Sequence, residues 1–395
     1  TRFRNVTGVQ TCALPICHTT PKATDANNQL DTSAVVSDLY DQLVAAYPIG
    51  VGAFEFRKGV NVIYIKRLDS QPFTISVSDG RSGTLARAVY ASVSAFSLLP
   101  TEAVPGFRVK IDTDPSNELD NYYVEFVGTS GTGSTVQAGY WQEVAAPGIK
   151  YRIDRDTMPL VIRRAAEKVI FIGPADGATR TIVNGGNTYT YTFPEWSDRS
   201  AGDDTTVPAP SFIGKEIRDL AIFRGRMTFV AGENIVMSRT SNLFAFFNET
   251  ASTVLDTDPI DIVAAGETRS TLNWILPLEE NLLAFSDLAQ FQVRVVDGEV
   301  MTPRSAFVVR LSNIQMNPLV RPRLAGPNIL FGTYKYGYSG FRDYQFFASS
   351  GRRLGLNLGA SNEITSHVPK LIQGAVSLMD VGESVDTMEI GRAHV

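Results

Sequence analysis

Four pairs of neighbouring carboxylates are the residues of this sequence best suited to catalysis or metal binding: Asp154/Asp156, Asp203/Asp204, Asp256/Asp258 and Glu279/Glu280. A retaining glycosidase needs two carboxyl groups about 5 Å apart. Asp203, Asp204, Asp256 and Asp258 also offer oxygen ligands for calcium, although no EF-hand-type loop is present. However, Asp beside Gly or Pro usually stabilises a turn, as in Gly202-Asp203 and Asp258-Pro259. We therefore predict turns here and assign no catalytic, cofactor-binding or metal-binding residue.

Two further motifs resemble catalytic or binding sequences but lack an essential residue. The run Gly128–Thr135 nearly matches a phosphate-binding loop, yet Ser134 stands where the phosphate-binding Lys belongs and no helical pattern follows. We predict a hairpin loop there. His367 has no obvious nucleophile, because no Gly-x-Ser-x-Gly elbow occurs, and we predict a packed or capping residue. The chain is therefore predicted not to be an enzyme and to use no cofactor.

The two ends of the chain do not read as native protein. Gln10–Ile16 and Glu389–Val395 can be encoded by reverse complements of one another, as a sequencing adapter read from both sides would be. We therefore set residues 1–16 and 389–395 aside as adapter artefacts and treat the remainder as a fragment. Continuous adapter-free reads through both junctions would contradict this interpretation.

The composition of the chain argues against a DNA-gripping surface and against membrane insertion. The formal net charge is −5; removing Arg2, Arg4, Arg392 and Glu389 leaves 33 basic and 40 acidic residues, a net −7. Binding to DNA phosphates favours a basic surface, and no basic run is present. No apolar run approaches the roughly 20 residues that span a bilayer. Both cysteines, Cys12 and Cys17, lie in or next to the adapter string, so no disulfide or thiolate site is predicted.

An α+β pattern occupies the first part of the chain. In the N-terminal segment, residues 17–50, apolar spacings of three and four predict a helix from Asp31 to Tyr47. In residues 51–164, alternating apolar and polar residues predict a β-rich α+β module of the platform type, with a second helix at Leu85–Leu99. The strands predicted in it are Val60–Ile65, Phe73–Ser78, Phe107–Ile111 and Tyr122–Val127.

Short strands separated by Gly, Pro and Asn fill residues 165–388. They are predicted at Val169–Ile172, Thr188–Phe193, Ala221–Phe223, Met227–Val230, Ile235–Met237, Ile260–Val263, Leu272–Leu276, Leu282–Phe285, Phe291–Val296, Phe307–Leu311, Ile329–Thr333 and Asp343–Phe347. So many evenly spaced short strands indicate an all-β sandwich, barrel or propeller. Weak strand–turn–strand repetition at blade scale favours the propeller. The predicted fold class is therefore mainly β, with a propeller-like core of short antiparallel strands.

The loop from Trp196 to Phe212 is the candidate structural or interface site. Its candidate residues are Trp196, Arg199, Gly202, Asp203, Pro208, Pro210 and Phe212. Trp196, Arg199 and Asp203 can fix the loop on the core by stacking and by a charge-assisted hydrogen bond. Alternatively, the loop contacts the next subunit of an oligomer, and the sequence does not separate these two roles.

The amino-acid sequences of several segments resemble those of the tail tubular protein B, or nozzle, family of short-tailed podovirus and autographivirus phages. These segments are DTMPLVIRR, WSDRSAGDDTTVPAPSF, FRGRMTFVAGENIVMSRTSNLFAFF, DTDPIDI, LPLEENLLAFSDLAQFQV, LAGPNILFGTYKYGYSGFRDYQF and NEITSHVP. The resemblance covers roughly Val51 to Val376. One departure is Leu160, which follows DTMP where the family often has His or an aromatic residue.

The resemblance implies a structural protein of the virion tail. It implies a hexameric ring below the adaptor ring of a short non-contractile tail, a channel through which DNA passes without sequence-specific binding, and a shoulder that helps seat tail fibres. It also implies a platform-type region and a propeller core. The alternative from a different class is a carbohydrate-binding or glycan-degrading tail module that uses an Asp/Glu pair.

Overall fold

The computed structural model shows a mainly β chain with a single α-helix among its described residues. It describes residues 2–5, 16–17, 32–48, 54–69, 71, 73–79, 86–114, 116, 121–130, 133, 135–264, 270–278, 281–295, 300–326, 328–345, 361–382 and 387–391. The chain forms two compact units. The first comprises Thr1–Tyr151, Ser200–Val207 and Thr250–Thr253, and the second comprises Arg152–Arg199, Pro208–Glu249 and Val254–Val395. The finer division of the chain at residues 16, 50, 164 and 388 stays a prediction.

Among its described residues, the first unit contains one α-helix and ten strands. They are β1 Arg2–Asn5, β2 Ile16–Cys17, α1 Thr32–Ala46, β3 Phe54–Lys58, β4 Ile63–Arg67, β5 Ile75–Ser78, β6 Ser92–Val93, β7 Glu102–Ala103, β8 Arg108–Ile111, β9 Tyr122–Gly128 and β10 Gln137–Val144. The strands form sheets ordered β2-β1-β5, β3-β4 and β6-β8-β9-β10-β7. The segments set aside as adapter translations include β1 and most of the last strand of the chain, and their artefactual origin stays a prediction.

The predicted N-terminal helix is confirmed, since α1 buries Leu39 and Leu43 at the expected spacing of four. Asp31, the first predicted position, lies outside the described residues. The Gly-rich run Gly128–Thr135 falls between the antiparallel strands β9 and β10, which confirms a hairpin connection. Residues 131, 132 and 134 of that run are outside the described part.

The predicted helix at Leu85–Leu99 is wrong. The described part of this segment contains β6 and one 3-10 turn at Phe96–Leu98. Strand β6 runs parallel to β8, and its Val93 is buried with Val109, Ile111 and Val124. The apolar spacing that suggested a helix face instead reflects separate contacts with this core, because tertiary packing overrides a short periodic pattern.

The second unit is built from short antiparallel strands. They are β11 Val161–Ala166, β12 Val169–Gly173, β13 Thr179–Asn184, β14 Asn187–Thr192, β15 Ile217–Phe223, β16 Arg226–Ala231, β17 Asn234–Met237, β18 Ile260–Val263, β19 Leu272–Leu278, β20 Asn281–Ser286, β21 Gln290–Val295, β22 Ala306–Ser312, β23 Arg323–Ala325, β24 Asn328–Lys335, β25 Tyr338–Gln345, β26 Ser361–Glu363, β27 Ile372–Gln373, β28 Leu378–Gly382 and β29 Thr387–Gly391.

Three successive meanders dominate this unit, with strand orders β15-β16-β17-β18, β19-β20-β21-β22 and β23-β24-β25-β26, where β27 also pairs with β25. The first and second sheets share one apolar core that includes Ile235, Leu272 and Phe291. The second and third share another, which includes Phe285 and Phe331. Each sheet therefore packs on the next one along the chain. All twelve strands predicted here overlap observed strands, although Val296, Phe346 and Phe347 of the predicted ranges lie outside the described residues. Strands β11, β13, β23 and β26 to β29 were not predicted.

Two hairpins precede the meanders and pack against each other. Hairpins β11–β12 and β13–β14 bury Val169, Phe171 and Phe193 between them, with Tyr189 and Tyr191 against this core. We call this pair of hairpins the twin-hairpin module. Strand β12 alternates strictly, because Val169 and Phe171 are buried while Ile170 and Ile172 are exposed.

Candidate functional site: the loop from Trp196 to Phe212

The two ends of the loop are fixed in a buried cluster of aromatic rings within the second unit. Trp196 is 4% exposed, and its ring centroid lies 4.9 Å from Phe244 and 6.0 Å from Phe246. Phe212 meets Phe246 edge-on at 5.2 Å and Phe229 at 5.4 Å. These separations are those that favour offset and edge-to-face ring packing. The aromatic cluster therefore anchors the loop on the meander that contains Phe229.

Arg199 is buried and its guanidinium group stacks on the ring of Phe247. Its guanidinium carbon lies 5.1 Å from the Phe247 ring centroid, and the residue is 3% exposed. Such a position is stabilised by cation–π attraction, which is strongest where water is excluded. The predicted hydrogen bond between Arg199 and Asp203 stays a prediction.

The middle of the loop, Ser200–Val207, belongs to the first unit and is held there by backbone contacts. The Ala146 N–H donates to the Gly202 carbonyl at 2.8 Å. Gly202 has φ +65°, and a Cβ at this position would lie 2.5 Å from Thr206 Oγ1 and 2.6 Å from Val207 Cγ2. Both the backbone conformation and the lack of space therefore require glycine.

Asp203 closes the turn that follows. Its carboxylate accepts hydrogen bonds from the N–H groups of Thr205 and Thr206, at 2.9 and 3.0 Å, and from the Thr206 hydroxyl. Partial burial favours the neutral form, but these donors outweigh it and hold the pKa of Asp203 below its usual value. The predicted turn role of this carboxylate is confirmed.

The returning part of the loop is tied to the second unit. The Ser211 N–H and hydroxyl both donate to the Asp261 carboxylate on β18, at 2.8 and 2.6 Å. Pro210 is buried and Pro208 is exposed. Trp196, Arg199, Gly202, Pro210 and Phe212 are thus buried within their own chain, whereas Pro208 and part of Asp203 reach the surface. A contact of this loop with another subunit stays a prediction.

The other predicted carboxylate pairs also serve the backbone where the structure describes them. Asp154 accepts from the Asp156 N–H at 3.1 Å. Asp258 is fully buried and accepts from the N–H groups of Glu249 and Leu255 at 3.0 and 2.8 Å. Glu279 and Glu280 lie outside the described residues. Within the described ranges, no group of three or more His, Cys, Asp or Glu side chains is placed to hold a metal ion.

His367 is exposed, so the packing part of its predicted role is wrong. It lies in a turn in which the Val368 N–H donates to the Thr365 carbonyl at 2.9 Å. Polar turn residues around it favour exposure over burial.

None of the described helices is long and apolar enough to cross a membrane.

Sequence reasoning missed a buried arginine that organises the segment after the aromatic cluster. Arg226 is 2% exposed and donates to the carbonyls of Ser238, Asp258 and Asp256 at 2.8, 2.6 and 3.1 Å. Burial lowers the pKa of Arg226, and the Asp258 carboxylate opposes this shift. The only signal in the sequence was a second arginine after the Arg224-Gly225 turn, at the first position of a strand.

An ion pair between β15 and a later loop was also missed. Asp219 accepts from the Ile275 N–H at 3.0 Å and pairs with Arg321 at 3.0 Å. Burial raises the pKa of Asp219, while these partners act in the opposite direction. Arg321 also lies 5.7 Å from the Trp274 ring centroid. The pairing joins residues far apart in sequence, and short-range patterns carry no information about it.

Short antiparallel sheets, carboxylates that accept hydrogen bonds from backbone N–H groups and a loop buried in its own core together describe a mainly β protein. The chain belongs to the bacteriophage nozzle protein family, which matches residues 5–390. It is 29% identical over 303 residues to tail tubular protein gp12 of Escherichia phage T7. This similarity covers 77% of the present chain and 34% of that relative, so the chain spans about a third of the relative's length. The predicted resemblance is confirmed, and the protein is a structural component of the virion tail.

Proposed function

We propose that this protein is a subunit of the distal nozzle ring of a short non-contractile phage tail and that the ring conducts the genome during ejection. The observation that carries the proposal is the family match, which extends over residues 5–390. The proposal includes an adaptor ring above the nozzle and tail fibres seated on its outer shoulder. Both partners come from the family resemblance.

A ring of identical subunits requires head-to-tail contacts in which two different surfaces of the chain meet and close by rotation. The family resemblance gives six copies. Exposed apolar surface in the second unit, such as Ile162 at 68% exposed, supports contacts with further protein.

The charge of the chain suits a channel for DNA. At a net charge of −5, the chain as a whole lacks the excess of Lys and Arg that would bind phosphates through counterion release. A channel that binds DNA weakly allows the genome to pass without arrest. This conduit role is sequence-independent and needs no catalytic residue.

We further propose that the three meander sheets of the second unit are blades of a propeller. Propeller blades are four-stranded antiparallel meanders that follow one another along the chain and pack face to face. Sheets β15–β18 and β19–β22 each have four strands in sequential order and share a buried core, and the third sheet packs on the second. Closure of such a series would create a rigid wall with few free edges.

Native mass spectrometry and negative-stain imaging of the purified chain test the proposal, alone and mixed with the adaptor protein of the same tail. We expect closed rings with a central hole that join the adaptor. A stable monomer that ignores the adaptor and hydrolyses host glycan would overturn the proposal in favour of a tail enzyme. The same samples incubated with glycan alone provide the control for that activity.

A further inference from the structure

The twin-hairpin module has two outer faces of opposite chemistry. On β11–β12 and at Leu160, which directly precedes β11, the outward residues Leu160, Ile162, Ile170 and Ile172 are 61, 68, 51 and 58% exposed. On β13–β14, the outward residues are mainly threonines, namely Thr179, Thr181, Thr188, Thr190 and Thr192. We call the first set the aliphatic face and the second the threonine face. The same small module therefore presents one apolar and one polar surface.

The threonine face serves as an internal standard for how this chain builds a solvated sheet surface. Thr179 and Thr192 are cross-strand partners whose hydroxyls lie 2.8 Å apart, and Thr181 faces Thr190 in the same way. Threonine keeps the β-branched shape that strands favour while offering water a hydroxyl. Nothing in strand geometry therefore demands isoleucine at the equivalent positions of β11–β12.

The aliphatic face is contiguous because its residues are in register. Ile162 lies directly opposite Ile172, and Arg164 lies opposite Ile170. Together the four aliphatic side chains expose on the order of 400 Å², which is the size of the largest apolar patches on typical monomers and often marks a binding surface. That is about half of the roughly 800 Å² that each partner contributes to a stable interface, so a polar rim completes the required area.

The charges around the aliphatic face complement the rest of the chain. Arg164 lies on this face opposite Ile170, and Glu167 and Lys168 lie in the turn of the hairpin, whereas Arg163 lies on the side of Phe171. The chain as a whole has a net charge of −5. Oppositely charged surfaces steer association and fix its orientation. The net negative charge of a second copy therefore attracts the basic groups of this face.

We propose that the aliphatic face of β11–β12 is a docking surface for a second copy of this chain. The partner contributes a different surface, so the contact is head-to-tail. This inference rests on the proposed ring function and assigns to it one of the two surfaces that a head-to-tail contact needs. The threonine face stays in solvent in the assembled ring.

The test replaces Ile162 and Ile172, which are cross-strand partners, by the residue type found on the opposite face. The variant carries Ile162→Thr and Ile172→Thr, and the matched control is Val183→Thr on β13, where Val183 is 70% exposed. Sedimentation velocity of each chain from about 1 μM to about 1 mM covers weak to moderate association. We expect the parent and the control to self-associate alike and the double variant to associate at least about tenfold more weakly, because apolar burial drives association.

Photocrosslinking gives a second readout that does not depend on how the threonine variants fold. A photoreactive phenylalanine at Ile172 is expected to crosslink to another copy of the chain, whereas the same residue at Val183 is not. The assignment would be overturned, and the ring left intact, if the double variant associated as the parent does. The same conclusion would follow if a crosslink to another copy formed from position 183 and not from position 172. A parent that stays monomeric throughout would overturn both the docking surface and the ring, and a crosslink only to added adaptor protein would assign the face to a different partner.

Discussion

Replacing the buried Arg226 by Met removes the donor on which several backbone carbonyls depend. The guanidinium group donates to the Ser238 and Asp258 carbonyls, and both of these residues are fully buried. It also donates to the carbonyl of Asp256, which is exposed. Water can therefore reach the Asp256 carbonyl in the variant, but the other two acceptors stay buried without a partner.

The expected loss follows from these two acceptors. Leaving a buried acceptor unsatisfied costs about 1–3 kcal/mol, so two of them cost about 2–6 kcal/mol. Burial of the guanidinium charge is unfavourable, as the lowered pKa of Arg226 shows, and Met removes that cost. The Met side chain also fills part of the space, so both effects offset part of the loss. We expect the free energy of unfolding of this region to fall by about 3 kcal/mol.

Hydrogen exchange measured by mass spectrometry reports this change locally. Peptides that contain the N–H groups of Glu249 and Leu255, which donate to the Asp258 carboxylate, should exchange about a hundredfold faster in the variant. The control is Arg218→Met, because Arg218 is exposed and pairs with the exposed Glu216, a type of ion pair that contributes little. Exchange within about threefold of the parent would refute the reasoning, since it would mean that the carbonyls find other donors at little cost.

Three further changes test the fold and the loop. The first change is Asp219→Asn. In the parent, the pKa of Asp219 is raised, so the folded state holds the proton more tightly than the unfolded state does. The stability that this proton contributes is present below the unfolded pKa of about 4 and is lost as the pH rises through the folded pKa. The difference between the urea midpoints of parent and variant should therefore change across that window, and a pH-independent difference would contradict the assignment. Tyr336 has φ +52° and is 98% exposed, so Tyr336→Asn should raise the free energy of unfolding by about 1 kcal/mol, and an unchanged or lower denaturation midpoint would argue against strain. Trp196→Ala should lower it by about 3–5 kcal/mol in thermal unfolding because Trp196 packs in the aromatic cluster, whereas a loss below about 1 kcal/mol would point to a surface role.

Regular elements were predictable wherever one local pattern dominated. Short apolar runs located β12 and β16. Four-residue spacing located α1, because burial of one helix face repeats with the period of the helix. Strand β13 was missed, since its sequence TRTIVN is largely polar and its outward face carries threonine. The segment Leu85–Leu99 misled because tertiary contacts at Val93, which no local pattern reveals, decided its structure.

The candidate site was predictable in kind but not in its partners. Turn chemistry correctly assigned Asp203 to the backbone, because its donors are the neighbouring Thr205 and Thr206. Asp258 also accepts from backbone N–H groups, but one of its donors is Glu249, nine positions earlier. Arg199 stacks on Phe247, 48 positions later, and such pairings depend on how sheets pack. The continuous apolar letters of β12, VIFI, are typical of a strand buried on both faces, whereas in this chain Ile170 and Ile172 are exposed.

The loop that makes this sequence most recognisable, Trp196–Phe212, and the aliphatic face are different parts of the chain, although Leu160 and Ile162 of that face lie in DTMPLVIRR, another of the resembling segments. Trp196, Arg199, Gly202 and Phe212 lie in the most recognisable segment, yet each is buried in its own chain, so changes there act first on folding. The aliphatic face is exposed and contributes little to the core, so changes there act first on association. A loss of assembly is therefore informative about contacts when it arises from Ile162 or Ile172, and informative about folding when it arises from Trp196.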